Sequence, residues 1–241
     1  MIQSFFLAAI LIMFASNTFG QTPPAREGIE WCDVWISHAN ETNLPRVLLI
    51  GDSITRGYYP DVVKRLVGKA YVNRLATSAF ISDPVLLAQI KMVLDGTKFD
   101  VIQFNNGMHG WQHSEEEYRQ AFPEFLAVIR DHARGAKLIW ATTTSVKEGA
   151  RVTNAPNDAK DADAGKMMLK ADLTRVSNAR INARNAIALQ ILQPQGIPID
   201  DLHALTANHP EMHSDNVHFN ARGIALQADH VAAEIQKLLA H

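Results

Sequence analysis

Gly51-Asp52-Ser53 closes the apolar run Val47-Leu48-Leu49-Ile50 and leads on to Ile54-Thr55. A buried strand that breaks at a glycine and turns toward a helix lifts the next hydroxyl to the rim of a sheet, because glycine has no Cβ to obstruct the turn. At that rim Ser53 can attack an acyl carbonyl, and its own backbone N–H can bind the oxyanion that develops. Far along the chain, Asp215 and His218 stand three apart in Ser214-Asp215-Asn216-Val217-His218-Phe219. On a turn, this spacing lets the carboxylate accept from one imidazole nitrogen while the other faces a hydroxyl, which fixes tautomer and orientation. Each signal alone has a plainer explanation: Asp52 or Ser53 can cap a helix, and a histidine before a helix can be a cap or a core residue. Together they supply a nucleophile and a directed base.

This pair of motifs, in the order Ser, Asp, His, resembles the SGNH (GDSL-type) hydrolases, whose first block reads Gly-Asp-Ser and whose last reads Asp-x-x-His. The resemblance runs from about Arg46 to the C-terminal helix. It implies a three-layer α/β/α sandwich on a flavodoxin-like parallel five-stranded sheet, and ester or acyl hydrolysis without a cofactor. The family's oxyanion hole also draws on a Gly in a second block and an Asn in a third block, Gly-x-Asn-Asp. This chain departs from both. Residues 74–79 read Arg-Leu-Ala-Thr-Ser-Ala, so the resemblance places the backbone N–H of Ser78, or of Thr77, where the Gly would stand. Gly107-Met108-His109-Gly110 aligns with the third block, so His109 takes the place of the Asn, with a neutral imidazole N–H as donor. Asn106 and Asn105 are the alternatives if the turn is tighter. His109 and His113, four apart, have no third acid nearby, and no metal is assigned to them. Arg56, Tyr58 and Trp111, with Tyr59 and His113, fall in rim loops, where aromatic faces with polar tips suit a sugar or another neutral polar group. The competing reading is that these aromatics pack inward.

The elements that must position these residues are legible as alternation. Short apolar runs at 47–50, 71–75, 101–105, 137–142 and 197–200 read as strands buried on both faces. Segments 61–67, 84–94, 115–134, 167–192 and 221–239 carry apolar residues at spacings of three and four and read as helices. Ser114 followed by Glu115, Glu116 and Glu117 reads as an N-cap with acids in the first turn, which puts residues 107–113 on a loop leaving a strand's carboxyl end, where parallel sheets hold ligands. The polar, acidic stretch 154–165 reads as an exposed loop, and its Asp158, Asp161 and Asp163 lack the spacing of a calcium loop.

The chain has 241 residues, 47% hydrophobic and 20% charged, with formal net charge −2, so no basic field favours nucleic acid or an anionic membrane. Residues 5–15 are apolar and are followed by small polar residues, the layout of an export signal over residues 1–20. Residues 21–45 then read as an N-terminal extension and 46–241 as one catalytic domain, secreted or periplasmic, with no stable membrane insertion after cleavage. A single cysteine, Cys32, excludes an internal disulfide, and its flanks Trp31 and Val34 suggest a small buried hydrophobe.

The expected function is a Ser-His-Asp esterase acting on small acyl esters, acetyl foremost, carried by carbohydrate. Its rivals are a lipase-like esterase or thioesterase of the same fold, and a carbohydrate-binding relative that has lost the chemistry through a degenerate oxyanion hole. A nucleotide-binding α/β protein is disfavoured, because Gly51-Asp52-Ser53 supplies no phosphate-cradling loop and its Asp would repel phosphate.

Overall fold

The computed structural model describes residues 25–147 and 176–240. The export signal expected at 1–20, the exposed loop expected at 154–165 and the first part of the helix expected at 167–192 lie outside the described residues. Within them the strands are β1 (Cys32–Trp35), β2 (Arg46–Gly51), β3 (Tyr71–Thr77), β4 (Val101–Phe104), β5 (Lys137–Ala141) and β6 (Ile199–Asp200). The helices are α1 (Ser53–Arg65), α2 (Pro84–Gly96), α3 (Glu115–His132), α4 (Asn178–Leu192), α5 (Leu202–Ala207) and α6 (Ala221–Leu239).

One sheet, ordered β1-β3-β2-β4-β5-β6, forms the middle layer. From β3 to β6 all neighbours are parallel, which is the expected five-stranded arrangement. The sheet has a sixth member. β1 pairs antiparallel with β3, Cys32 opposite Thr77 and Trp35 opposite Arg74, so part of the segment read as an extension forms an edge of the sheet. On this short outer strand Cys32 is exposed, not buried as its apolar flanks suggested.

Central strand β2 shows why the fold has three layers. Alternate strand residues face opposite sides, and Leu48 and Ile50 join a core with Leu86 and Ile90 of α2, Phe122 and Phe125 of α3 and Ala188 of α4. Val47 and Leu49 join a second core with Tyr58 and Val62 of α1 and Val231 and Ile235 of α6. Burying each such aliphatic or aromatic side chain contributes about 1.5–3 kcal/mol, so neither face of β2 could be left open without large loss.

The first helix begins earlier than the sequence pattern indicates. Pro60 marks a helix start by its fixed φ and missing N–H, yet α1 opens at Ser53 and runs through it. Asp52 caps the start, and Ile54, Tyr58 and Val62 bury against the sheet, a gain that offsets the lost backbone bond. The short α5, capped by Asp201, carries too little periodicity to be read from sequence.

Gly51 is where β2 meets α1. A Cβ there would lie 2.1 Å from Thr55 Oγ1 and 2.8 Å from Thr55 Cβ, whereas at exposed Gly57 in α1 it would meet nothing within 4 Å. Gly51→Ala should therefore destabilise the protein by about 1–3 kcal/mol, and Gly57→Ala should stabilise it by up to about 1 kcal/mol. Urea midpoints of the two variants measure both, and equal effects would remove the packing argument for Gly51.

Candidate active site

Ser53 is the first residue of α1, a position whose backbone N–H has no acceptor within the helix. Asp52 Oδ1 accepts from the Ile54 N–H at 2.8 Å, which fixes the turn that presents Ser53. The carboxylate beside the serine is thus a helix cap.

His218 arrives from the other end of the chain. Residues 213–219 form a tight turn closed by an antiparallel bridge between His213 and Phe219 and by the Ser214 N–H donating to His218 O at 2.8 Å. Asn220 then caps α6 by accepting from the Arg222 and Gly223 N–H groups. Inside the turn, Asp215 Oδ1 accepts from the Val217 and His218 N–H groups, both at 2.7 Å, and its Oδ2 lies 2.8 Å from His218 Nδ1. An ionised carboxylate can only accept, so Nδ1 carries the proton and Nε2 presents a lone pair. Nε2 stands 2.9 Å from Ser53 Oγ. Burial works to raise the Asp215 pKa, but the two backbone donors and the His218 ring outweigh it and bring the carboxyl down to about 2. Asp215 therefore stays ionised wherever His218 is neutral.

The residues singled out as oxyanion donors divide. The Ser78 N–H donates to Trp31 O at 3.1 Å, and its hydroxyl donates to Glu30 Oε2 at 2.7 Å while accepting from the Trp31 N–H. Ser78 thus holds the segment leading into β1, and neither of its donors is open to a ligand. Asn105 Nδ2 donates to Ala141 O at 2.7 Å and Thr143 Oγ1 at 3.1 Å, tying the end of β4 to that of β5. Asn106 Nδ2 donates to Ala79 O at 2.9 Å, which links two loops. His109 differs: its Nδ1 lies 3.0–3.1 Å from both oxygens of Glu27, while its Nε2 is buried with no protein partner. The neutral donor expected at His109 needs correction, because the proton of a neutral ring is drawn to Nδ1 by the Glu27 carboxylate.

The rim residues also divide. Arg56 is exposed, with its guanidinium 4.8 Å from the centre of the Trp31 ring, and Trp31 meets the His109 ring edge-on at 6.2 Å. Tyr58 is a core residue: its hydroxyl donates to Gln103 Oε1 at 3.2 Å and pairs with Thr55 Oγ1 at 3.1 Å, in a buried chain that continues to Asp200. Trp111 is buried at 3% exposure beneath Arg184, so it is unavailable as a rim aromatic. Tyr59 donates to Val72 O and His113 stacks on Phe80, both inside the fold.

Sequence reasoning missed three residues that shape this site: Arg184, Glu27 and Trp31. Arg184 is fully buried on α4. Its Nη1 donates to Gly107 O at 3.0 Å and His109 O at 2.7 Å, and its Nη2 to Gly110 O at 3.0 Å, so one planar fork gathers three carbonyls of the loop. Burial, with Arg180 close by, lowers the Arg184 pKa to about 10, which leaves it charged at neutral pH. The available signal was an arginine on the apolar face of a helix, between Ile181 and Ala188. Glu27 accepts from the Gly110 N–H at 3.1 Å as well as facing His109. Gly110 has φ +70, and a Cβ there would strike Phe80 at 2.1 Å. Nothing local marks Glu27 or Trp31, since their partners lie about 80 and 50 residues away.

Neither a family model nor a curated protein matches the chain by sequence. Solved structures do match by shape. A carbohydrate esterase family 3 protein from Talaromyces cellulolyticus superposes with TM-score 0.59 at 16% identity, over 81% of this chain and 98% of that one. A protein assigned as an SGNH hydrolase from Slackia heliotrinireducens gives 0.56 at 19% identity, over 80% and 100%. The lipase/acylhydrolase from Enterococcus faecalis gives 0.56 at 19% identity, over 80% and 96%. The chain has the SGNH hydrolase fold.

Replacing Arg184 by Leu leaves the bound carbonyls without donors and should cost about 3 kcal/mol or more in urea unfolding. Arg184→Lys, which keeps the charge but loses the fork, should recover less than half of that. Full recovery by Lys would show that charge alone, and not bidentate geometry, holds the loop at 107–110.

Proposed function

We propose that this chain is an exported serine esterase that removes small acyl groups, acetyl foremost, from carbohydrate esters. The observation that carries the reading is the continuous chain Ser53 Oγ, His218 Nε2, His218 Nδ1, Asp215 Oδ2, with contacts of 2.9 and 2.8 Å. His218 takes the Ser53 proton as the hydroxyl attacks the ester carbonyl. It returns that proton to the leaving alcohol and then activates the water that releases the acyl group, with Asp215 stabilising the imidazolium in each half-reaction. The oxyanion is held by the Ser53 N–H, which has no acceptor within its helix.

The His218 and Asp215 side chains are about half exposed, and a site so open suits an acyl group presented on a bulky polar carrier. Among the structural neighbours, the Talaromyces protein is a carbohydrate esterase, which supports the same substrate class. The exposed Arg56 on the Trp31 ring offers a polar and aromatic surface beside the site. Export rests on residues 1–20 alone; among the described residues no helix is long and apolar enough to cross a membrane. The lipase-like alternative has its support in the Enterococcus neighbour's name and is separated by acyl-chain preference.

Ser53→Ala should abolish turnover of acetyl esters with an unchanged circular dichroism spectrum, and Asp215→Asn should lower kcat by up to about 10⁴-fold. A fluorophosphonate should label the wild-type chain at Ser53 alone. Acetylated xylo-oligosaccharides should turn over faster than esters of long-chain acids. Hydrolysis by Ser53→Ala at the wild-type rate would end the serine mechanism, and a preference for long chains would end the carbohydrate assignment.

A further inference from the structure

We infer that His213 is a positioning residue: its imidazole ties the turn that carries His218 to the loop after β5, and so sets the reach of the His218 ring toward Ser53. The inference rests on the esterase reading for its chemistry. The need for such a tie comes from what the turn can fix by itself. Asp215 and His218 are three residues apart, so their contact is settled inside the turn. Ser53 begins a helix near the other end of the chain, and its 2.9 Å contact with His218 Nε2 depends on where the turn as a whole is set. Misplacing a reacting group by about 1 Å can cost about a hundredfold in rate.

His213 opens the turn and is buried at 6% exposure. Its Nε2 lies 3.0 Å from Ser145 O. A carbonyl only accepts, so Nε2 carries the proton and donates it. Nδ1 is buried and has no partner among the described residues, so the Ser145 carbonyl is the group that orients the ring.

The anchor is itself fixed. Ser145 is buried, and its N–H and hydroxyl both donate to Thr206 Oγ1 at 3.2 Å, which in turn donates to Leu202 O at 2.8 Å within α5. A second bond, from the Lys147 N–H to Asn216 O at 2.9 Å, joins the same loop to the middle of the turn. The His213 ring also lies against Phe219, with centroids 4.3 Å apart and planes tilted by 33°. Phe219 is buried and directly follows His218. It packs closely on Gly223 of α6, where a Cβ would come within 2.9 Å of both Phe219 Cδ1 and Met212 O. Phe219 is therefore held by the His213 ring and by α6, and the backbone of His218 is held with it. A histidine that only filled this space could be replaced by any ring of its size, whereas a tie requires the N–H.

The test compares wild type with His213→Phe, which keeps a ring against Phe219 but has no donor, and with His213→Gln, whose amide nitrogen can reach the Ser145 carbonyl. It measures kcat and KM for p-nitrophenyl acetate, the rate of fluorophosphonate labelling at Ser53, and nitrogen-15 shifts of the histidine rings in the resting proteins. In His213→Phe, kcat and the labelling rate should fall about tenfold to a hundredfold, with KM changed less than about twofold. His213→Gln, which restores the hydrogen bond, should bring kcat back to within about threefold of wild type. The shifts should place the His213 proton on Nε2 in wild type, and the His218 proton on Nδ1 in all three proteins. Wild-type kcat in His213→Phe, no rescue by Gln, or a wild-type His213 with a bare Nε2 overturns the inference. So does a His218 ring in His213→Phe that has lost its Nδ1 proton, since the turn itself would then have come apart. Should His213→Phe not fold, His213→Gln and the wild-type shifts still decide. Because the shifts need no substrate, a wild-type chain inert toward every ester but protonated at His213 Nε2 overturns the esterase reading and leaves the tie between His213 and Ser145 standing.

Discussion

A contact of 2.9 Å joins Ser53 to His218 across 165 residues of sequence, and most of the architecture serves to keep it. Neither residue could hold that distance unaided. Ser53 is rigid because it begins a helix whose cap is buried and whose preceding glycine admits no side chain. His218 is rigid because its turn is closed at both ends, by the bridge from His213 to Phe219 and by the cap of α6. The two anchoring helices, α1 and α6, pack on the same face of the sheet through Val62, Val231 and Ile235, so displacement of either would open apolar surface. The short contact is thus enforced by a core, and the energy of burying that core exceeds anything one hydrogen bond could supply.

The loop between β4 and α3 is held by different means. Gly107, Met108 and Trp111 are surrounded by fixed partners, but the loop's backbone carbonyls turn inward and need donors that no strand provides. Arg184 meets that need with one side chain, and Glu27 takes the Gly110 N–H and the His109 ring from the opposite side. Glu27, His109 and Arg184 are largely withdrawn from water here, with the partly exposed Glu115 beside Arg184, an arrangement tolerated because each has charged or carbonyl partners. The segment before β1 is therefore part of the site's frame.

How much of this could be read from sequence follows from where each partner lies. Gly51-Asp52-Ser53 was legible because strand, turn and helix start are neighbours in the chain, and so was the turn that joins Asp215 to His218. The parallel sheet was legible from apolar runs and their spacing. Tyr58 and Trp111 were misplaced because an aromatic with a polar tip serves equally at a rim or in a core, and only Gln103 and Arg184, both distant, decide which. β1 escaped because four residues at an edge need no apolar alternation. Ser78 was placed by analogy with a glycine whose N–H is open, whereas here the strand pairing of the preceding segment claims that N–H.

Two histidines, His218 and His109, each face a carboxylate, and the two carboxylates differ in their surroundings. Each has a carboxylate at Nδ1, so the local motif is the same. The Asp215 partner of His218 is more than half exposed, where solvent screens its field, and it divides its acceptor capacity among the ring and two backbone N–H groups. The Glu27 partner of His109 is buried and acts in a medium where charges reach further. The same carboxylate–imidazole motif is thus set in two different media, one wet and open at the turn before α6, the other dry and enclosed under the segment that leads into β1.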